Sequence, residues 1–243
     1  MDTIETGDIH FLYRPRVEEE DPGELDDVQN FFVVLRPRGG DRLRLLIVGG
    51  KRLPDTGEHE RLWGFVQTVA SDPEDLREQF RAERYDTRTR GLRHQPAARP
   101  AGEGVYAIAR RDGETFLAYL LELPDAPGPV QQELQIPPQA RYVLNVKDPR
   151  VGAPPRAGLP PEQQADFPPR LQERFGDRRW IAADPVDLLD HEGAEILLIG
   201  AREDVEVDGT PPLEPDDEVQ LLHQLDLDRD EHPVAPLLEG EWD

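Results

Sequence analysis

Six arginines, at positions 81, 84, 88, 90, 93 and 99, crowd one short stretch alongside two acids, Glu83 and Asp86. The local charge is +4 in a chain whose total is −23. Clustered guanidiniums repel unless anions sit between them, and their planar forks suit carboxylate and phosphate. Arg88, Arg90, Arg93, His94 and Arg99 are therefore the candidate anion-binding residues, with His94 the natural acid or base of the group. Two kinds of anion can fill such a site: the chain's own surplus acids, or an external phosphate or carboxylate. The number of acids available favours internal pairing. Gly91, Pro96, Pro100, Gly102 and Gly104 punctuate the stretch and predict an irregular loop rather than a helix face.

Other chemistry is sparse. The one serine, Ser71, precedes Asp72-Pro73 and belongs to a helix start rather than to a nucleophile. With no cysteine either, the usual acyl-transfer nucleophiles are absent. No phosphate-cradling glycine loop is present; Gly102-Glu103-Gly104 is a fragment of one. The six histidines are scattered. Asp190 and His191, flanked by Asp187 and Glu192, are the best local candidates for a metal or acid–base site, against the plainer reading of a polar turn. Asp226, Asp228 and Asp230 imitate half a calcium loop, but Glu231 stands where glycine is needed and Leu237 where the bidentate glutamate belongs. No cofactor is expected.

The chain of 243 residues is long enough for one large domain or two small ones. Hydrophobic residues make up 37%, prolines number 25 and mean hydropathy is −0.68, so part of the chain is expected to be loop. The absence of cysteine excludes disulfides and thiolate metal sites and suits a reducing cytoplasm, the expected location. No apolar run resembles a signal peptide or a membrane span. Lys51 and Lys147 are the only lysines. Abundant acids with few lysines fit a protein adapted to high internal salt, although a GC-rich genome would also raise arginine. The negative charge argues against nucleic acid and against anionic membranes as partners. Residues 203–243 hold fifteen acids and one base, Arg229. They read as an acidic, mobile tail with two apolar islands, VQLLHQLDL and VAPLLEGEW.

The elements that must position these residues follow from periodicity. TGDIHFLYRPRV (6–17), VQNFFVVLRP (28–37), RLRLLIVGG (42–50) and RLWGFVQTV (61–69) read as strands. Asp72-Pro73 opens a helix over about 73–84, with Leu76 and Phe80 on one face. The stretch 32–54 lies against 106–124 as strand, arginine-containing turn and strand, followed by WGFVQTV or VQQELQI as a further strand. LREQFRAERY (76–85) then matches LQERFGDRRW (171–180). This predicts two related halves, 1–100 and 101–202, the second carrying an inserted strand and proline-rich loop at about 140–164. TGDIHFLYR and GAEILLIGAR (193–202) are expected at the ends of the two sheets. The aromatics Trp63, Phe65, Tyr119, Tyr142, Phe175 and Trp180 are expected in the core.

The motifs TGDIHFLYRPRV, DVQNFFVVLRP, GKRLP, WGFV, YDTRTRG, AARPAGEGVYAI, LLELP, ADFPPRLQERF and EGAEILLIGA span roughly residues 5–202. Their order resembles an uncharacterised bacterial family of conserved proteins of about this length. The resemblance implies no activity, cofactor or site residue.

The expected fold is α+β: mainly antiparallel strands in two related halves, each followed by a helix, with the acidic tail beyond. The expected function is that of a non-enzymatic intracellular binding or adaptor protein, its partner a protein or a small anion. The alternative is an enzyme acting on a small phosphate- or carboxylate-bearing substrate held by the Arg84–Arg99 loop.

Overall fold

The structure is a computed structural model that describes residues 2–40, 42–89, 91–152 and 158–201. The first four strands, β1 (Asp2–Pro15), β2 (Val28–Pro37), β3 (Leu43–Val48) and β4 (Arg61–Ala70), form an antiparallel meander. Helix α1 (Pro73–Phe80) and a separate two-stranded ribbon, β5 (Glu83–Thr87) and β6 (Gly91–Gln95), come next. The chain then returns through β7 (Arg99–Arg111), β8 (Glu114–Leu123), helix α2 (Pro129–Glu133), β9 (Gln139–Lys147), helix α3 (Pro169–Gln172), β10 (Trp180–Ala182) and β11 (Glu195–Gly200).

Eight of these strands close into an antiparallel barrel in the order β4-β3-β2-β1-β7-β8-β9-β11 and back to β4. Two arms, β2-β3-β4 and β7-β8-β9, are bridged by β1 on one side and β11 on the other. The strands expected at the ends of two sheets are therefore the staves that join them. β2 and β7 both run antiparallel to β1, yet their arms wind round the barrel in opposite senses. The strand expected as an insertion at 140–147 is β9, through which the barrel closes. One edge of β9 pairs along β11, while the other pairs first with β8 at Gln139–Val143 and then with β10 at Asn145–Lys147.

Alternation along the staves sends one set of side chains inward. Ile9, Phe11 and Tyr13 of β1 join Phe31, Leu35, Leu46, Val66, Tyr106, Tyr119 and Tyr142 in the main core. Phe11 meets Tyr119 edge-on at 5.0 Å and lies parallel to Phe31 at 6.2 Å. An eight-stranded barrel is about wide enough for its own side chains, and these aromatics occupy it. One end is capped by α2 through Val130 and Leu134. The other is capped by the 3-10 turn Val186–Asp190 with Phe167, Leu171 and Phe175.

Two local expectations are corrected. VQQELQI forms α2 and not a strand: Pro129 presets the first turn and the Gln131 side chain accepts from the Gly128 backbone N–H at 2.8 Å. The helix expected over 73–84 stops at Phe80, and the expected loop beyond it is the β5–β6 ribbon. The start of α1 is as expected, with Asp72 accepting from the Glu74 N–H at 3.0 Å. Its Leu76 and Phe80 are buried on the outer wall in a second core with Leu12, Phe32, Val34 and Leu45. Among the described residues, no helix is long and apolar enough to cross a membrane.

Candidate functional site: the arginine ribbon

The ribbon grows from an anchored base. Phe80 packs edge-on against Phe32 at 5.6 Å, and its carbonyl accepts from the Ala98 N–H at 2.8 Å, so chain leaves and returns at one point of the wall. Between these points β5 and β6 pair from Glu83↔Gln95 to Thr87↔Gly91. Gly91 adopts φ +69°, a left-handed conformation open to glycine, and the Thr87 hydroxyl donates to its carbonyl at 3.0 Å to close the turn. At the base, buried Gln95 donates through Nε2 to the Pro15 carbonyl at 2.7 Å.

The acidic connection between β1 and β2 wraps this base. His94 Nδ1 lies 2.7 Å from Glu20 Oε1, and Arg93 Nε lies 3.6 Å from Glu18 Oε1. The Glu18 N–H donates to the His94 carbonyl at 2.8 Å, and Arg99 donates to the Glu20 carbonyl. Burial pushes the neighbouring Tyr13 phenol up to about 12, with Arg99 opposing that rise. Arg93 and His94 thus face the Glu18 and Glu20 carboxylates, and Arg99 faces the Glu20 backbone carbonyl.

The distal half differs. Arg84 and Arg88 are exposed and make no ion pair with a described residue, while Arg90 lies outside the described residues. Leu92 is 69% exposed and Tyr85 37%, and these are the exposed large hydrophobics among the described residues. The outer edge of β5 pairs with no other strand among them. The distal ribbon therefore offers cations, a leucine, a tyrosine and a strand edge without a partner among the described residues. Leu92 and Tyr85 were missed in the sequence, although an isolated leucine within the basic island is a signal that could have found it. Three surface grooves, around Arg141, Arg110 and Tyr142, take no lining residue from the ribbon.

Asp190 and His191 sit at the far end of the barrel. Arg44 is buried there, binding Glu5 bidentately at 2.6 and 3.0 Å and Asp190 at 2.7 Å, while Tyr106 donates to Glu5 at 2.8 Å. Arg42 reaches the second Asp190 oxygen at 3.2 Å. Burial opposes the Arg44 charge, but Glu5 and Asp190 outweigh it and hold the guanidinium pKa above its ordinary value. Asp190 therefore meets arginines on both oxygens. The His191 ring contacts Phe167 edge-on at 5.2 Å, and burial lowers its pKa, aided by Arg42 and Arg170. Among the described residues, no group of three or more metal-ligating side chains comes together.

A second buried pair lies on the outer wall, where Lys147 of β9 donates to Glu195 of β11. Glu195 also accepts from Trp63 Nε1 at 3.2 Å and from the Leu159 N–H at 3.0 Å. A lone lysine and a lone glutamate inside apolar strands were the signals for it. Comparison with protein-family models, characterised proteins and solved structures finds no match for this chain.

Proposed function

We propose that this protein is a non-enzymatic binding module that captures an acidic, leucine-bearing protein segment on the distal half of the β5–β6 ribbon. The observation that carries the reading is Leu92, 69% exposed on a projecting ribbon beside Arg84 and Arg88. A solvated leucine beside cations that make no ion pair with a described residue is suited to a partner that supplies both carboxylates and apolar side chains. The barrel interior supports the same reading, because it is occupied by the protein's own aromatics. The outer edge of β5, which pairs with no other strand among the described residues, adds main-chain donors and acceptors for an extended segment.

The test is fluorescence polarisation with labelled peptides of mixed Asp, Glu and Leu, with acidic leucine-free and basic leucine-rich peptides as controls. Burying Leu92 contributes about 1.5–3 kcal/mol, so Leu92→Ser weakens binding of the acidic leucine peptide roughly tenfold or more. Arg84→Glu with Arg88→Glu weakens it and removes its salt dependence. Equal binding of all three peptides, or binding indifferent to Leu92, refutes the reading.

A further inference from the structure

We infer that residues 214–228 of this same chain, EPDDEVQLLHQLDLD, are an intramolecular occupant of the arginine ribbon, so that an external partner must displace them. The inference rests on the ribbon being a binding surface, and it names the segment that occupies that surface first.

Three observations support it. The first is charge complementarity. The segment carries Glu214, Asp216, Asp217, Glu218, Asp226 and Asp228 with no lysine or arginine, and the ribbon presents Arg84 and Arg88 without ion pairs to described residues. The second is pattern. Val219, Leu221, Leu225 and Leu227 share the odd positions with His223, and Gln220, Gln224, Asp226 and Asp228 share the even ones with Leu222, so at the period of an extended strand one face of the segment is mainly apolar and acids flank it. That pattern matches a ribbon with exposed Leu92 and Tyr85 and a β5 edge that pairs with no other strand among the described residues.

The third is reach. β11 and β1 run the same way, because four successive antiparallel pairings separate them through β4, β3 and β2. Gly200 at the end of β11 and Pro15 at the end of β1 thus lie at one end of the barrel, and the ribbon base is bonded to Pro15. Four steps of about 4.8 Å between strands make roughly 19 Å along the wall. The chain from Ala201 to Val219 can span about 60 Å when extended. The segment therefore arrives with ample length, and being tethered it acts at a high effective concentration even if its own affinity is modest.

The sequence contains no cysteine, so Gln224→Cys in the full chain gives one site for a nitroxide label. Amide signals of Glu83–Gln95 should lose more than about half their intensity relative to the reduced label, with little loss around Val186–Asp190 at the other barrel end. The loss should vanish in Arg84→Glu with Arg88→Glu, and should recede in molar KCl as screening shortens the Debye length to about 3 Å. In the same full chain, Leu221→Ser with Leu225→Ser should tighten binding of the acidic leucine probe peptide. The gain is about tenfold if the segment fills the ribbon in roughly nine molecules of ten. Broadening spread evenly over the barrel, or absent, overturns the inference. If the probe peptide still binds in a Leu92-dependent way, the ribbon remains a binding surface and only its internal occupant is lost. If the probe fails as well, both fall together.

Discussion

Removing either partner of the Lys147–Glu195 pair should be severe, and removing the charges of both should be mild. Both side chains are buried on the outer wall, and Glu195 is the acceptor for three donors: the Lys147 ammonium, the Trp63 indole and the Leu159 N–H. Lys147→Met leaves a buried carboxylate with two neutral donors, and Glu195→Gln leaves a buried ammonium facing an amide. Stripping one partner from a buried pair costs about 3–5 kcal/mol. For a chain of this size each kcal/mol is worth about 2–4 °C in Tm, so each single variant should melt roughly 6–20 °C lower. The double variant removes both charges, and the carboxamide oxygen introduced by Glu195→Gln keeps an acceptor where the Trp63 and Leu159 N–H groups point. It should lie within about 1–2 kcal/mol of the parent, giving a coupling of about 3 kcal/mol or more. Urea unfolding followed by tryptophan fluorescence measures all four proteins. Additive losses in the double variant would refute the reasoning, since they would mean that the two groups are stabilised independently of each other.

Phe80→Ala empties the contact with Phe32 under the ribbon base and should cost about 3–5 kcal/mol, read by the same unfolding curves, with amide exchange in Glu83–Gln95 accelerating most. His191 has a folded pKa below its ordinary value, so the folded state resists its protonation. Its contribution is complete above about pH 6.5 and is lost as pH falls toward the folded pKa, so His191→Phe should flatten the decline in unfolding free energy below that pH. Arg93→Gln should cost no more than about 1 kcal/mol, because the 3.6 Å contact with Glu18 is half-exposed. Phosphate at matched ionic strength should leave parent and variant unchanged in Tm; stabilisation of the parent alone would reveal a phosphate site and favour the enzyme reading.

Strands such as FFVVL and LRLLIV were legible because a stave buried on one or both faces must be apolar at a regular period. The start of α1 was legible because Asp72 and Pro73 act within a few bonds of the atoms they satisfy. Barrel closure was not, because it depends on Phe116 meeting Val143 and Leu198 meeting Leu62, pairings that no local pattern encodes. The ribbon was misread for a different reason. Residues 83–92 are exposed on both faces apart from half-buried Thr87 and Arg90, which lies outside the described residues, so no burial forces an alternation and the arginines and glycine suggested a loop. Its strand geometry is held from the base, by Gln95 on Pro15 and by Glu18 on His94. Arg93, His94 and Arg99 were legible as a group needing anions, but which acids would come to them was set by β1 delivering Glu18 and Glu20 to that point.

Charge separates the two halves of the ribbon in a way that bears on what it does. At the base, Arg93 lies near the Glu18 carboxylate and Arg99 donates to the Glu20 carbonyl, so the local repulsion that arginine clustering creates is relieved there by the 16–27 connection. Toward the tip, Arg84 and Arg88 have no such relief among the described residues, although the chain carries 51 acids and could have supplied one. A protein of net charge −23 attracts little that is negative from a distance, so long-range steering toward an acidic partner is weak and its field is repulsive. Recognition at the tip must then come from contacts within about one Debye length, roughly 8 Å at physiological salt. That favours an occupant brought close by tethering or by apolar contact, such as one that covers Leu92, over a free small anion that must approach against the field of the whole chain.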